Sequence, residues 1–380
     1  MKILHLLDIP WWSGLTSYAF DTIQAHQTLG NQVTLAISKD SIAYKKSNNL
    51  NCSILPIKGR KGFEPLLNFF VIGREIFKNK PDWIISHTGS THWIALALSL
   101  LFKIPLIRVR AISQKLKTHW INKMIYQKSS YIVTASENLR FECLNLVASN
   151  YKNKIRTILP KVGEEFIAVK VPQPNPANEQ NPRSETASEI KDQFHNPMKV
   201  LGNKKIGMVA RLDPVKGLFN FLKVAKIVQE SCPEAEFQIA GPEENITWHS
   251  LLNQAKTLGL KNLTYHGFLD SKSLVKFMNQ CSMGLITSTG SEEVSRVLIE
   301  WMSLGKTVIS TNVGSLPEIL KEGRGGYLVQ PNEPLKMAEK IIQLFQNQNL
   351  LDEMGQFNWD LCKNKFSQER FCHEWKNLLG

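Results

Sequence analysis

Two glutamates, Glu292 and Glu300, stand eight residues apart in the block MGLITSTGSEEVSRVLIEWMSLGKTVISTNV at 283–313. The block reads as a buried strand, a polar loop, and a helix that starts just after Glu292 and stops near Gly305. Such a helix start would turn the free backbone N–H groups of Glu293, Val294 and Ser295 toward hydroxyl or phosphate oxygens. Glu300, two turns deeper, could accept both hydroxyls of a ribose. Taken alone, the two acids read more simply as a capped, solvated face with Glu292 and Arg296 as an i,i+4 pair.

A second block, GMVARLDPVKG at 207–217, runs from a strand through Arg211 and a turn at Asp213-Pro214 to Lys216-Gly217 at the next helix. Arg211 with its fork of donors and Lys216 as a point charge could converge on a diphosphate. By themselves they are two cations at a turn. The third block, DIPWWSGLTS at 8–17, follows the first strand. Ser13-Gly14 gives a tight turn with little side-chain bulk, so backbone N–H groups can approach a phosphate. The full G-x-G-x-x-G is absent, which argues against an NAD site. At least one of Trp11 and Trp12 is expected to line a cleft.

The elements that position these blocks are short apolar runs alternating with stretches at helical spacing. Strands are predicted at 3–7, 33–38, 53–57, 83–87, 106–109 and 131–135, and again at 205–209, 236–240, 263–266, 283–287 and 307–310. Helices are predicted at 66–78, 91–102 and 138–146, then at 218–230, 248–258, 271–279 and 294–303. This alternation predicts α/β architecture, with parallel sheets covered on both faces. Between the halves, a segment rich in Pro, Asn, Gln and Glu reads as a flexible connector. The expected organisation is a first doubly wound domain at 1–170, a polar linker at 171–203, a second domain at 204–360, and a C-terminal helix at 361–380 that packs back on the body. Ligands of such folds bind at the carboxyl ends of the strands.

The chain has 380 residues, 43% of them hydrophobic, enough for two or three globular cores and too apolar for general disorder. Six cysteines form no Cys-x-x-Cys pair and carry no His at metal-ligand spacing, so they read as reduced thiols. No run reaches the ~20 apolar residues that span a bilayer. The opening MKILHLLDIPWW has a lysine followed by apolar residues but no small-residue cleavage site, and Asp8 interrupts it; a first strand explains it better. The formal charge of +13 is localised: residues 1–160 hold 21 Lys and Arg against 8 Asp and Glu, whereas 161–380 hold 25 of each. The excess includes Lys45, Lys46, Lys61, Lys78, Lys80, Lys115, Lys117 and Lys123. An anionic membrane surface is one partner for such a domain, and a solvated basic face is the simpler alternative. Nucleic acid is the partner that charge alone would suggest, but no helix-turn-helix, zinc-finger or RNA-recognition signature accompanies it.

The three blocks, in this order, resemble the retaining glycosyltransferases of family 4, which have the GT-B fold of two Rossmann-like domains. The matching segments are Glu292…Glu300 with the strand entry Gly305–Ser310, ARLDPVKG, Gly241-Pro242, HGFLD at 266–270 and NVGSLPEIL at 312–320. The first domain matches more loosely through its opening, DWIISHTGS and YIVTASENLR. The resemblance implies an acceptor bound mainly by the first domain and a nucleotide-sugar by the second, with no resident metal or other cofactor. It implies that Arg211 and Lys216 hold the donor diphosphate, Glu300 the ribose and Glu292 the donor sugar. Ser13, Gly14, Gly241 and the amides at Glu293, Val294 and Ser295 would complete the donor site.

Two departures bear on this. Many members read Gly-Phe-Gly where this chain has Glu293-Val294-Ser295. Ala111 stands where PLIRVRAIS would often carry a histidine that contacts the donor sugar, leaving His87, His92 and Arg110 as the first-domain cleft candidates. The implied activity is retaining transfer of a sugar to a hydroxyl of a glycan or lipid-linked acceptor, in cell-surface polysaccharide or lipopolysaccharide-type synthesis. The expected location is the cytoplasm, at the inner face of the membrane. The rival is a catalytically degenerate sugar-nucleotide-binding subunit. A GT-B epimerase or phosphorylase would need other cleft acids or a lysine-bound pyridoxal phosphate.

Overall fold

Strand β1 (Lys2–Leu7) has five buried residues in a row, and its alternate side chains divide between two cores. Ile3 and Leu7 point to one, Leu4 and Leu6 to the other. A strand buried on both faces belongs at the centre of a parallel sheet. The computed structural model describes residues 1–59, 63–112, 120–145, 149–167, 204–290 and 292–380, and it places β1 there.

The first sheet joins β1 to β2 (Gln32–Ser38), β3 (Ser53–Ile57), β4 (Trp83–Ser86), β5 (Leu106–Arg110), β6 (Tyr131–Thr134) and β7 (Ile155–Thr157) in the order 3-2-1-4-5-6-7. All of its pairings are parallel. The second sheet repeats that plan with β8 (Lys205–Val209), β9 (Glu236–Ala240), β10 (Leu263–Tyr265), β11 (Met283–Ile286), β12 (Thr307–Thr311) and β13 (Gly326–Val329) in the order 10-9-8-11-12-13. The strand order reverses beside β1 and beside β8. Crevices open at such switch points, at the carboxyl ends of β1 and β4 and of β8 and β11. The loops of all three sequence blocks begin there.

Helix α1 (Gly14–Thr28) lacks a polar face: eleven of its fifteen residues are buried, because the first sheet covers one side and the last helix, α15 (Gln368–Leu379), covers the other. This double covering is why its periodicity does not stand out in sequence. Phe371 and Trp375 of α15 meet Tyr18 and His26 edge to face. In exchange, Val162 and Phe166 of the first half pack into the core of the second, beside Leu298 and Ile299. Each half lends a segment to the other. The opposite face of the first sheet carries α3 (Glu64–Lys78), α4 (Gly89–Phe102) and α5 (Trp120–Lys128). The connector at 171–203 and Lys61, Lys115 and Lys117 lie outside the described residues.

His87 and His92 correct the sequence reading: both are buried rather than exposed on a cleft loop. His5 Nδ1 lies 2.9 Å from His87 Nε2, and His5 Nε2 lies 3.0 Å from His26 Nδ1, so three imidazoles form one chain beneath α1. His92 Nδ1 bonds Ser86 Oγ at 2.8 Å. The strand residue Leu6 fixes His87 through a backbone bond, which turns its side chain into the core instead of the crevice. Burial depresses all four pKa values, those of His26 and His87 to about 3, with neighbouring histidines adding to the effect at His5 and His26. An unfolded imidazole titrates near ~6.5, so below that pH the unfolded chain binds protons that the folded chain refuses. Stability is therefore full above about pH 6.5 and falls on acidification toward pH 3, by ~1.4 kcal/mol per pH unit for each such imidazole. Urea midpoints measured from pH 7 to pH 4 should fall steeply, and His26→Gln should flatten the slope. A midpoint independent of pH in this range would contradict the buried neutral chain.

Candidate functional site at the two switch points

Helix α11 (Arg296–Ser303) carries Glu300 and follows the loop that holds Glu292. Its seat is set by Trp301, a fully buried indole lying against Gly207 of β8 and Gly284 of β11. A Cβ at either glycine would come within 2.7 Å of the indole, so these two strands accept α11 only because they carry glycine there. The helix begins at Arg296, later than its sequence pattern suggested. Glu293, Val294 and Ser295 form a turn ahead of it, and Ser295 takes φ 47° without capping the helix through its side chain. A left-handed serine is strained. The Ser295 hydroxyl offsets the strain with bonds to the Glu292 carbonyl at 3.0 Å and to Ser315 Oγ at 2.6 Å.

The loops after β8 and β11 are stitched together. Thr287 Oγ1 bonds the carbonyls of Lys216 and Gly217 at 3.0 Å, and the Thr289 N–H donates to Val215 O at 2.8 Å. Gly217 sits at φ 68°, and a Cβ there would lie 1.9 Å from the Thr287 carbonyl oxygen. Only glycine permits this approach, which delivers Lys216 to Glu292. Lys216 Nζ donates to Glu292 Oε1, and Ser288 Oγ donates to the same oxygen at 2.6 Å. Ser288 was not singled out from the sequence, although its place at the end of a buried strand was visible.

Arg211 does not join Lys216. Its guanidinium donates to Glu244 at 2.7 Å and lies 3.9 Å from Asp213, so each cation has its own carboxylate. Gly241, at φ 144°, lies so close to the Ala210 carbonyl that a Cβ would reach 1.9 Å; in this structure its role is backbone packing behind the β8 loop. Glu292 does not pair with Arg296. Instead Arg296 Nε donates to Glu300 Oε1 at 2.9 Å, and its Nη1 reaches across to Asp21 at 3.0 Å and to Ser17 Oγ, both on α1. Lys161 adds a second cation 3.6 Å from Asp21. Burial opposes the charge on Arg296, but Asp21 and Glu300 outweigh it and raise its pKa. Burial lifts the Glu300 carboxyl above the usual carboxylate range, a rise that Arg296 restrains. With Oε1 engaged by Arg296, Glu300 is not free to take both hydroxyls of a ribose through two uncommitted oxygens.

The first-domain loop reaches this site directly. Ser13 caps α1 by accepting the Thr16 N–H, and a Cβ on Gly14 would lie 3.3 Å from Val294 Cβ, so Gly14 abuts the Glu293–Ser295 turn. Val294 itself belongs to the first-domain core. Asn138 Nδ2 donates to Glu293 at 3.5 Å, and Glu318 accepts the N–H groups of Glu137 and Asn138 at 2.8 and 2.5 Å. These contacts close the two halves on each other. Trp11 and Trp12 are exposed, with Lys46 lying 3.9 Å over the Trp12 ring. Arg110 ends β5 on the crevice side but is buried and paired with Glu142 at 2.6 Å. Ala111 is buried in the first-domain core, and His87 is committed to the imidazole chain. Neither loop histidine occupies the donor side of the crevice. Among the described residues, no group of three or more His, Cys, Asp or Glu is arranged to hold a metal ion.

Residues 189–358 match the family model of the glycosyl transferases group 1. This match covers 170 of the 380 residues, in the second half of the chain. All the second-domain residues described above lie within it. An uncharacterized glycosyltransferase of Methanocaldococcus jannaschii is 37% identical over 112 residues, which is 29% of this chain and 31% of that protein. Spore coat protein SA of Bacillus subtilis is 26% identical over 50% of this chain and 51% of its own length. The poly(ribitol-phosphate) alpha-N-acetylglucosaminyltransferase of Staphylococcus aureus is 28% identical over 49% of this chain and 38% of its own. The chain thus spans between about a third and a half of the length of these curated relatives. Fold similarity reaches further. A glycosyltransferase from Rickettsia africae superposes with TM-score 0.79 at 17% identity, covering 100% of this chain and 97% of that one. An Anabaena protein crystallised with UDP gives TM-score 0.77 at 17% identity, covering 100% and 99%. The two sheets with their covering helices together form the GT-B fold.

Proposed function

We propose that this protein is a retaining glycosyltransferase that moves a sugar from a nucleoside diphosphate donor to a hydroxyl of a glycan or lipid-linked acceptor. The observation that carries this reading is the Lys216–Glu292–Ser288 cluster at the second switch point, faced by Gly14 from the first. The cluster joins a cation suited to a departing diphosphate and a carboxylate suited to a sugar hydroxyl, held by loops that cannot drift apart. When a donor enters, its phosphates displace Glu292 as the partner of Lys216, and Ser288 keeps the freed carboxylate aimed at the sugar. Arg211, partly exposed, leaves Glu244 for the same diphosphate. Glu300 meets a ribose hydroxyl through Oε2 while Arg296 retains Oε1.

Charge development on the leaving phosphate is the largest change on the reaction path, so fixed cations there supply most of the electrostatic stabilisation. The acceptor hydroxyl attacks from the side on which the nucleotide departs and passes its proton to the leaving phosphate, which gives retention. The first half is assigned the acceptor, and its cationic excess supports a position at an anionic membrane surface.

UDP-glucose is the first donor to test, since a similar Anabaena protein was crystallised with it. The expected result is nucleotide release that depends on an added hydroxyl acceptor, with a product anomer matching the donor by NMR. Donor binding without turnover across sugar nucleotides and acceptors would favour the rival reading of a sugar-nucleotide-binding subunit. The burial of Ala111 and His87 is the observation that keeps that rival in view.

A further inference from the structure

Helix α3 buries Asn68, Ile72 and Ile76, at every fourth residue, against the first half. Its outer stripe is also apolar. Phe63, Leu66, Leu67, Phe70, Val71 and Phe77 recur at the spacing of one helix face, and all are exposed, Phe63 at 83% and Phe77 at 82%. A helix with apolar side chains on both its inner and outer faces is usually covered on both, yet this one lies outermost. The adjoining helices continue the patch, α4 with exposed Leu100 and Leu101 and α5 with exposed Trp120. A soluble surface seldom leaves so many large side chains uncovered on one layer unless something binds there.

Charge decides what binds. Residues 58–80 contain six Lys or Arg and two Glu. Arg74 and Lys78 stand exposed on α3 itself, with Lys80 just beyond it and Lys123 and Lys128 exposed on α5. Neither α4 nor α5 carries an acid. A second copy of this chain would set two cationic faces against each other. An anionic bilayer supplies both what the aromatic rings and what the cations require, an acyl boundary beneath a layer of negative headgroups.

We propose that the outer stripe of α3 is a bilayer-insertion surface: its phenyl and leucyl side chains enter the headgroup–acyl boundary of an anionic leaflet while Arg74, Lys78 and Lys80 rest on the phosphates. This sharpens the membrane placement proposed above from charge alone, and it is independent of the glycosyl-transfer chemistry. The patch and the switch-point site share no residue.

The test is co-sedimentation of the full chain with vesicles of phosphatidylglycerol and phosphatidylcholine, against vesicles of phosphatidylcholine alone. The wild type should pellet with the anionic vesicles, and added salt should weaken this without abolishing it. Phe70→Ser with Phe77→Ser should lower partitioning by about tenfold per ring, or about a hundredfold together. Arg74→Glu with Lys78→Glu should remove the salt-sensitive part. Because these side chains are exposed, the variants should keep the wild-type circular dichroism and thermal midpoint; Leu66→Ser with Leu67→Ser replaces the first pair if they do not. Nucleotide release with a water-soluble acceptor should be unchanged in every variant, so loss of the vesicle result and loss of the catalytic result remain separate. The proposal is overturned if the Phe70→Ser, Phe77→Ser protein pellets like the wild type. It is equally overturned if the wild type ignores both vesicles and forms a dimer that this variant dissociates.

Discussion

Lys216→Ala should lower nucleotide release at saturating donor by about 10²–10³-fold, the loss that follows when one charge-stabilising donor is removed from a water-excluded site. Lys216 Nζ and Glu292 meet in a crevice where both side chains are largely enclosed, so no bulk cation can replace it in the same geometry. The main effect should fall on kcat, because the interaction strengthens as the diphosphate departs. Glu292→Gln retains the Ser288 bond but loses the charge, and should also fall in kcat. The thermal midpoint of Lys216→Ala should stay near that of the wild type, because Ser288 still holds Glu292 and part of its carboxylate meets solvent. A variant that folds and turns over within about threefold of wild type would remove Lys216 from the mechanism.

Arg296→Met should destabilise the fold by about 3–5 kcal/mol, the usual cost of leaving buried partners of an ion pair uncompensated. For a chain of this size that corresponds to a drop of about 4–6 °C in thermal midpoint. Two carboxylates lose their common cation: Glu300 on α11 and Asp21 on α1, the second keeping only Lys161 at 3.6 Å. Burial already raises the Glu300 pKa, and without Arg296 the neighbouring carboxylates Asp21 and Glu165 push it further the same way. A carboxyl whose folded pKa is raised is penalised once the unfolded chain ionises, so the deficit should be full at pH 7 and shrink below about pH 4. The triple variant Asp21→Asn, Arg296→Met, Glu300→Gln should recover most of the lost stability by removing the charges together. A deficit below about 1 kcal/mol in the single variant would mean that the network is no stronger than a surface pair.

Most strands were legible because each is a short apolar run bounded by turn residues, and a parallel sheet needs both faces of such runs buried. Helix α1 was less so, since α15 covers the side that would otherwise be polar. Strands β7 and β13 are only three and four residues long and lie at sheet edges, where little burial marks them. His87 shows the limit most clearly. Its position at the end of a strand was readable, but the direction of its side chain depends on the backbone bond to Leu6 and on His5 lying beneath it. Asp21 carried a signal that went unused, as the single acid in α1.

By itself the sequence determined that two α/β halves carry polar loops after their first and fourth strands, and that Glu292, Glu300, Arg211 and Lys216 sit on or beside those loops. It could not determine which charge meets which. Arg296 is four residues from both Glu292 and Glu300, so helical spacing leaves the two pairings equivalent. The tie is broken by partners that are distant in the chain. Lys216, 76 residues before Glu292, claims that carboxylate, and Asp21, 275 residues before Arg296, draws the guanidinium toward α1 and Glu300. Local spacing fixes which groups can meet along a helix. Only the packing of one half against the other decides which of them do, because a buried charge must take the partner that the whole fold brings to it.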